Sequence, residues 1–141
     1  MSIQIIYWTG TGNTEAMAQA VAEGVALAGA EAKLLPVAEA NKDDALAADA
    51  LALGCPSMGD EVLEESEMEP FAEAIEDSLS GKKVALFGSY GWGDGAWMRD
   101  WQARFAAKGA IIVNDEGLIA QDKPGDAELA ACRALGKALA E

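Results

Sequence analysis

Short apolar runs alternate with longer helical patterns along the chain, and this alternation is the strongest limit on its fold. Runs at residues 3–8, 32–37, 50–53, 110–113 and from residue 82 onward have the length and composition of buried strands. Helical spacing occurs at residues 14–27, 43–48, 67–79, 96–107 and 126–139. Five strands alternating with helices predict an α/β fold with a parallel sheet covered on both faces. Without an evident linker or repeat, we expect residues 1–141 to form one domain.

Three glycine-rich segments follow predicted strands directly: TGTGNT, GCPSMGDE and GSYGWGDG. The carboxyl ends of parallel strands meet at one edge of a sheet, where ligands of such folds bind. We therefore expect the three segments to surround one ligand site.

The first segment resembles a phosphate-binding turn that lacks Lys and Arg. It is not a Walker A loop, and Glu15 stands where a dinucleotide fingerprint has its third glycine. Threonine hydroxyls, an asparagine amide and the N–H groups of a helix start can hold phosphate without a cation. The alternative is that Thr11 or Asn13 only caps the helix.

The other two segments carry a soft or flat side chain on a glycine-rich loop, namely Met58 and Trp92. Because Trp92 stands between Gly91 and Gly93, it is a poor core residue and a good stacking surface. The alternative is that Trp92 folds back onto its own domain. Two such side chains facing one slot would enclose a planar molecule that bears phosphate.

Charge and composition exclude several function classes. The net charge of −14 would repel duplex DNA and anionic membranes, but it would attract a basic protein. The chain has no histidine and two cysteines, so neither a zinc pattern nor a disulfide framework is visible, and any chemistry must come from carboxylates, a cofactor or a metal. We assign no catalytic residue and no metal ligand. We find no leader or membrane-spanning run and expect a cytoplasmic location. The acidic run GDEVLEESEMEP is either a solvated helix start or a docking surface for basic partners.

Four motifs, YWTGTGNTE, MGDEVLEESE, KKVALFGSYGWGDG and WMRD, stand in an order and at a spacing that resemble the flavodoxin family. The similarity covers essentially the whole chain and is closest to the short-chain flavodoxins of anaerobic bacteria. It implies a flavodoxin-like three-layer α/β/α sandwich with a five-stranded parallel sheet in the strand order 2-1-3-4-5. It also implies non-covalent FMN that shuttles between semiquinone and hydroquinone, carrying single electrons at low potential between redox enzymes. We expect a monomer whose partners dock through basic surfaces at the flavin edge.

The resemblance also assigns cofactor-binding residues. The phosphate loop would comprise Thr9, Gly10, Thr11, Gly12, Asn13 and Thr14. The loop at the inner face and at the N5/N3 edge of the flavin would comprise Met58, Gly59, Asp60 and Glu61. The outer loop would comprise Ser89, Tyr90, Gly91, Trp92 and Gly93, with Trp92 stacking on the ring.

Two positions differ from the family pattern. Pro56 and Ser57 stand where Ser then Ala is common, so a hydroxyl that contacts the phosphate is either lost or displaced to Ser57. Asp122 stands where Asn can contact the ribityl chain.

Two features of the sequence predict how the flavin is tuned. Gly59 suits a turn that needs positive φ, and we hypothesise that its carbonyl turns toward N5 on reduction. The absence of cations from the three segments, together with acids such as Asp60, Glu64 and Asp94, should lower the second potential.

Two other classes share the architecture. A receiver-type signalling domain would need acidic residues after the first strand, where this chain has YWTGTG. A flavodoxin-like enzyme such as a quinone reductase would need catalytic residues and space for a second substrate.

Overall fold

The computed structural model describes all of residues 1–141. The strands are β1 (Ser2–Tyr7), β2 (Glu31–Pro36), β3 (Ala50–Gly54), β4 (Lys83–Tyr90), β5 (Ile111–Ile112) and β6 (Leu118–Gln121). The helices are α1 (Asn13–Leu27), α2 (Lys42–Ala47), α3 (Met68–Glu76), α4 (Ala96–Ala107) and α5 (Asp126–Leu139). None of these helices has the length and apolar character needed to cross a membrane.

The sheet is parallel throughout, as the alternation of strands and helices predicts, and has the order β2-β1-β3-β4-β5, as the family resemblance implies. Strand β3 lies between β1 and β4, with Ala52 opposite Ile5 on one side and opposite Ala85 on the other. These three central strands are buried almost throughout. Burial on both faces explains why their sequences are nearly continuous apolar runs.

The fifth position of the sheet is shared by two short strands, where the sequence predicts one strand at residues 110–113. Strand β5 pairs with the start of β4, and β6 pairs with its end. The chain leaves the sheet between them because Asn114 and Asp115 have φ values of 64° and 63°. Strand β6 was missed in the prediction, and it carries Asp122 to the carboxyl end of the sheet.

Alternate side chains of the strands enter two separate cores. Ile5 and Phe87 belong to the core beneath α1 and α5, whereas Leu53 and Leu86 belong to the core beneath α3 and α4. The helices therefore form two layers with the sheet between them, which confirms the predicted α/β/α sandwich.

Helices α1 and α5 lie in direct backbone contact at two glycines. A Cβ atom on Gly24 would lie 1.9 Å from the carbonyl oxygen of Arg133, and one on Gly136 would lie 2.1 Å from that of Val21. Both distances are far below van der Waals contact, so this crossing accepts only glycine at the two positions.

Ion pairs join α3 to α4 on the other face. The Arg104 guanidinium donates to both carboxylate oxygens of Glu69, at 2.9 and 2.8 Å, and to Glu76 at 2.6 Å. These partners raise the pKa of Arg104 above its ordinary value. One of the ten basic residues is thereby neutralised far from the glycine-rich segments.

Candidate functional site

The three glycine-rich segments meet at the carboxyl edge of the sheet, because hydrogen bonds between neighbouring strands continue into the segments. We call residues 9–14 the first loop, residues 54–61 the second loop and residues 88–95 the third loop. The N–H of Ser57 donates to the carbonyl of Ser89 at 3.0 Å, which joins the second loop to the third. The N–H of Asp122 donates to the carbonyl of Tyr90 at 2.7 Å, which adds the segment after β6.

A cavity of about 370 Å³ opens among these segments, and its size is typical of small-molecule sites. Its lining comes from all three loops and from the segment after β6: Trp8, Gly10, Thr11, Asn13, Pro56, Ser57, Met58, Ser89, Tyr90, Gly91 and Asp122. Trp8 was not among the predicted site residues. Asp122 is the only carboxylate in the lining, and no Lys or Arg is present there.

The other predicted site residues lie around the cavity rather than in its lining: Thr9, Gly12, Thr14, Gly59, Asp60, Glu61, Trp92 and Gly93. Thr9 closes the first loop, because its hydroxyl oxygen accepts from the N–H of Gly12 at 3.0 Å. The hydroxyl of Thr9, which we expected in the phosphate loop as a donor to the ligand, therefore faces the loop's own backbone in this structure.

The start of α1 leaves main-chain donors free beside the cavity. Gly12 precedes the helix with φ of 93° and has no side chain to cap it, while the Thr11 hydroxyl accepts at 3.5 Å from the N–H of Asn13, the first residue of the helix. The N–H groups of Thr14 and Glu15 have no acceptor within the protein. Free N–H groups at a helix start are suited to an anion.

Thr14 and Ser89 form a buried hydroxyl pair between α1 and β4. Their Oγ atoms lie 3.0 Å apart, and the N–H of Ser89 donates to Oγ1 of Thr14 at 3.3 Å. Ser89 lines the cavity, whereas Thr14 lies behind it with 1% of its surface exposed. Thr14 thus fixes Ser89 in this structure and does not reach the cavity itself.

The second loop ends in a hairpin with three residues at its tip. Met58 and Val62 exchange two main-chain hydrogen bonds of 2.9 Å each, so the tip of the hairpin comprises residues 59–61. Gly59 has φ of 48°, which confirms that positive φ is required there. Glu61 also has positive φ, 57°, which is uncommon outside glycine.

Trp92 projects from the third loop and does not fold back onto the protein. Its exposed fraction is 63%, which excludes the alternative of a buried Trp92. Tyr90 is half-buried and packs on Trp97 with ring centroids 5.6 Å apart and planes tilted by 48°. The Trp97 indole N–H donates to the carbonyl of Cys55 at 3.0 Å, so the ring that supports Tyr90 is itself fixed.

Side chains also connect the loops to one another and to α4. Oε1 of Glu61 accepts from the N–H groups of Asp94 and Ala96, at 3.3 and 3.2 Å. Arg99 donates to the carbonyl oxygen and to the carboxylate of Asp94, at 2.8 Å each, and lowers the pKa of Asp94. Arg99 belongs to the WMRD motif, and nothing in the spacing of that motif predicts that its side chain turns back to Asp94.

Glu64 is a buried helix cap and not the surface acid that we expected. Its carboxylate accepts from the N–H groups of Ser66, Glu67 and Met68 at 2.8, 2.7 and 3.0 Å. Burial alone would raise the pKa of Glu64, but these hydrogen bonds outweigh it and the pKa is lowered. The acidic run therefore serves both as a helix start and, at its exposed members, as a charged surface.

The groups around the cavity are hydrogen-bond donors and acceptors that can bind a ligand. The cavity presents hydroxyls, an amide, main-chain donors and one carboxylate. Burial raises the pKa of the nearby Cys55 thiol to about 12, so the thiol stays protonated at neutral pH. No cluster of side chains is suited to a metal ion.

Comparisons with known proteins agree with this geometry. The family model "Flavodoxin" matches residues 5–136. A flavodoxin from Clostridium beijerinckii is 51% identical over 98% of this chain and 99% of its own length. A flavodoxin from Megasphaera elsdenii is 44% identical over 99% and 98%, respectively. The solution structure of the two-electron reduced Megasphaera elsdenii flavodoxin superimposes with a TM-score of 0.86 and covers 98% of both chains.

Proposed function

Because the chain belongs to the flavodoxin family, it is an FMN-binding electron carrier and not an enzyme, and we propose that residues 1–141 form one domain whose three loops hold the FMN. It transfers single electrons between redox enzymes at low potential. Bound FMN supplies this one-electron chemistry, and the surrounding protein sets its potentials.

The first loop fits a phosphate group without any cation. The side chains of Thr11 and Asn13 line the cavity, and Ser57 faces them from the second loop. The free N–H groups of Thr14 and Glu15 add donors whose dipoles favour negative charge. In this proposal the hydroxyl that the family places beside the phosphate is supplied here by Ser57. Thr9 and Thr14 act through the hydrogen bonds that shape the loop.

Other residues of the lining suit a planar ring. Met58 and Tyr90 line it, and Trp92 stands exposed beside it on the third loop. A large aromatic side chain kept out of the core is available for stacking. Asp122 offers only acceptors, so it suits the hydroxyl groups of the ribityl chain and disfavours phosphate beside it.

Neutral donors at the phosphate also suit a low potential. A cation there would stabilise added negative charge anywhere on the cofactor, whereas hydroxyls and amides do not carry that bias. The exposed acids Asp60 and Glu65 act in the same direction. Arg99 opposes them in part, because it neutralises Asp94.

The convergence of three loops on one cavity is the observation that carries this proposal, and a stepwise anaerobic reduction tests it. We expect the purified protein to be yellow and to be reduced in two resolved one-electron steps. A chain that leaves the fluorescence of added FMN unchanged would contradict the proposal. Reduction by a nicotinamide in one two-electron step with quinone turnover would instead indicate the enzyme alternative, and a colourless chain that takes up acyl phosphate would indicate the receiver.

The phosphate assignment has its own test. Thr11→Val keeps the shape of the side chain and removes the hydroxyl. We expect FMN affinity to fall by up to about tenfold, from the loss of one hydrogen bond. Affinity for riboflavin, which lacks the phosphate, should stay at the wild-type value. Equal loss for both ligands would show that Thr11 does not bind the phosphate.

We further propose that partners dock through basic surfaces at the loop edge. Asp60, Glu65 and Asp94 are exposed there, around the exposed apolar side chains of Val62 and Trp92. Electron-transfer rates to a basic partner should fall steeply with salt, and Glu65→Gln should reduce that slope. Glu31→Gln removes an equally exposed charge at the amino end of β2 and should have no effect on the slope. Equal slopes in all three proteins would contradict this docking surface.

We also propose that the protein is a monomer and that it is located in the cytoplasm. The net charge of −14 opposes self-association, and both cysteines are free and buried. Light scattering after gel filtration tests the oligomeric state, and cell fractionation tests the location.

A further inference from the structure

The third loop contains the dipeptide Asp94–Gly95, and every other Asp and Asn of the chain precedes a residue that has a side chain. The carboxyl group of an aspartate can be attacked by the main-chain nitrogen of the next residue, which closes a five-membered succinimide ring. Glycine at that next position favours the reaction, because it adds no Cβ atom that crowds the ring and leaves the backbone free to rotate. Asp94–Gly95 is therefore the dipeptide of this chain whose sequence most favours such a ring.

The structure leaves the reacting groups of this dipeptide available. The Asp94 side chain is 77% exposed. The N–H of Gly95 donates to no acceptor within the protein, whereas the N–H groups of Asp94 and Ala96 on either side are both hydrogen-bonded. Attack by the Gly95 nitrogen on the Asp94 carboxyl group thus breaks no hydrogen bond of that nitrogen.

Asp77 is a matched comparison within the same chain. Its side chain is 80% exposed and, like that of Asp94, it is paired with a base, here Lys108 at 2.6 Å. The residue that follows is Ser78, whose N–H donates to the carbonyl of Ile75 at 2.9 Å. The two aspartates are alike in exposure and in pairing, so they differ mainly in the nitrogen that would attack.

Arg99 restrains Asp94 from α4. Its two terminal nitrogens donate to the carbonyl oxygen and to Oδ1 of Asp94, at 2.8 Å each. This pairing lowers the pKa of Asp94, and ring closure proceeds from the protonated acid, because its hydroxyl group can leave as water. The bond from Arg99 to the Asp94 carbonyl also resists the backbone rotation that brings the Gly95 nitrogen to Cγ of Asp94.

We propose that Asp94–Gly95 is a site of spontaneous isoaspartate formation and that Arg99 keeps the reaction slow. The nitrogen of Gly95 forms a bond to Cγ of Asp94 and loses its proton, while the hydroxyl group of the acid leaves with a proton as water. A water molecule from the solvent then opens the ring. Opening at the α-carbonyl leaves the main chain running through Cγ and an α-carboxylate as the side chain, so the composition of the protein is unchanged.

The product has a different loop from the native protein. Its main chain is longer by one methylene group between Asp94 and Gly95, and its carboxylate is attached directly to Cα. Trp92 lies two residues before this insertion, and α4 begins at Ala96 directly after it. The two contacts with Arg99 depend on the present positions of both Asp94 oxygens and are lost. The inference concerns the covalent structure of the loop and is independent of the proposed function.

Ageing of the full-length protein at neutral pH and physiological temperature tests the site. Methyl transfer by an isoaspartate methyltransferase measures the isoaspartate content, and fragmentation mass spectrometry of the digest locates it. We expect isoaspartate to accumulate with time at Asp94 and not at Asp77. Asp94→Glu should accumulate none at this position, because its side chain would have to close a larger ring.

Substitutions of Arg99 test its restraining role. Arg99→Gln should speed isoaspartate formation at Asp94 by about two- to tenfold, as expected when a hydrogen-bonded ion pair is lost. Arg99→Lys keeps the positive charge and should stay nearer the wild-type rate. In the wild type, the rate should rise as the pH is lowered from 7 toward the pKa of Asp94, because more of the carboxyl group is protonated.

Three results would overturn the inference. Absence of isoaspartate at Asp94 from both the aged wild type and aged Arg99→Gln would exclude the site. Equal rates in these two proteins, or a rise in Arg99→Gln at Asp77 as well as at Asp94, would exclude the restraining role, since the second pattern indicates general unfolding. Equal accumulation at Asp77 and Asp94 in the wild type would show that exposure decides the reaction and not the free nitrogen of Gly95.

Discussion

The N–H of Glu64 donates to Sγ of Cys55 at 3.4 Å, which joins the end of β3 to the segment that begins α3. The Glu64 carboxylate then accepts from three main-chain N–H groups at the start of that helix. Only 6% of the residue is exposed. Glu64 thus connects the end of β3 to the start of α3 through its main-chain N–H, and its carboxylate caps that helix.

Removing the charge of Glu64 should therefore destabilise the fold in a pH-dependent way. We expect Glu64→Gln to lower the free energy of unfolding by about 1–2 kcal/mol at pH 7, as for a helix cap made by a charged group. Because the folded pKa of Glu64 is lowered, the stabilisation is complete above the unfolded pKa and is lost as pH falls through the folded value. The two proteins should become equally stable once the pH lies below the folded pKa of Glu64.

Urea unfolding between pH 7 and pH 3 measures this difference. Glu65→Gln is the matched control, since that side chain is exposed and caps nothing. A difference between wild type and Glu64→Gln that stays constant with pH would contradict the assignment of the stabilisation to the ionised carboxylate.

The crossing of α1 and α5 predicts a large effect from a single methyl group. Gly24→Ala would place Cβ 1.9 Å from the carbonyl of Arg133, so the helices must separate. We expect a loss of about 1–3 kcal/mol in the free energy of unfolding, although alanine favours the helix itself. Gln19→Ala, at an exposed position of α1, controls for helix propensity and should be neutral or stabilising. Thermal unfolding of both variants measures the contrast, and an unchanged Tm in Gly24→Ala would contradict the close crossing.

The sequence predicts the sandwich because its evidence is local and repeated. Each central strand is an apolar run, each helix has its own period, and glycines follow the strands whose ends form the site. Prediction from the sequence fails where an element is defined only by its pairing with a residue range far away in the chain. Strand β6 has only four residues and is defined by its pairing with Phe87–Tyr90.

The same distinction separates what could be predicted of the site from what could not. Met58, Tyr90 and Trp92 were predicted because flat or soft side chains among glycines are unusual. The contacts of Glu61 and Arg99 were missed, because both residues read as ordinary surface charges until the fold brings them to Asp94. No local pattern indicates such a contact.

Gly59 allows a separate test of the second loop. A Cβ atom there would meet nothing within 4 Å, so Gly59→Ala adds no clash and only restricts the backbone at φ of 48°. We expect its carbonyl to turn less readily toward the reduced flavin. The loss of one hydrogen bond of about 0.5–1.5 kcal/mol lowers the first one-electron potential by roughly 20–65 mV. Anaerobic potentiometry measures the shift, and an unchanged first potential would reject the hypothesis.

Charge pairing at Asp94 predicts that the acids of the loop edge contribute unequally to the second one-electron potential. Asp94 is held by Arg99, which lowers the pKa of Asp94 and offsets its charge, whereas Asp60 is exposed and has no basic partner. Asp60→Asn should therefore raise the second potential. Arg99→Gln should lower it, because Asp94 then acts without compensation.

Arg99→Lys separates charge from geometry in this last prediction. Lysine keeps the positive charge but cannot donate in the same two-pronged way, so the second potential should stay near the wild-type value. Both shifts, in Asp60→Asn and in Arg99→Gln, should shrink at high salt, because the groups are exposed. A second potential that rises in Arg99→Gln, or that falls equally in Arg99→Lys, would show that Arg99 acts on the loop's shape and not through its charge.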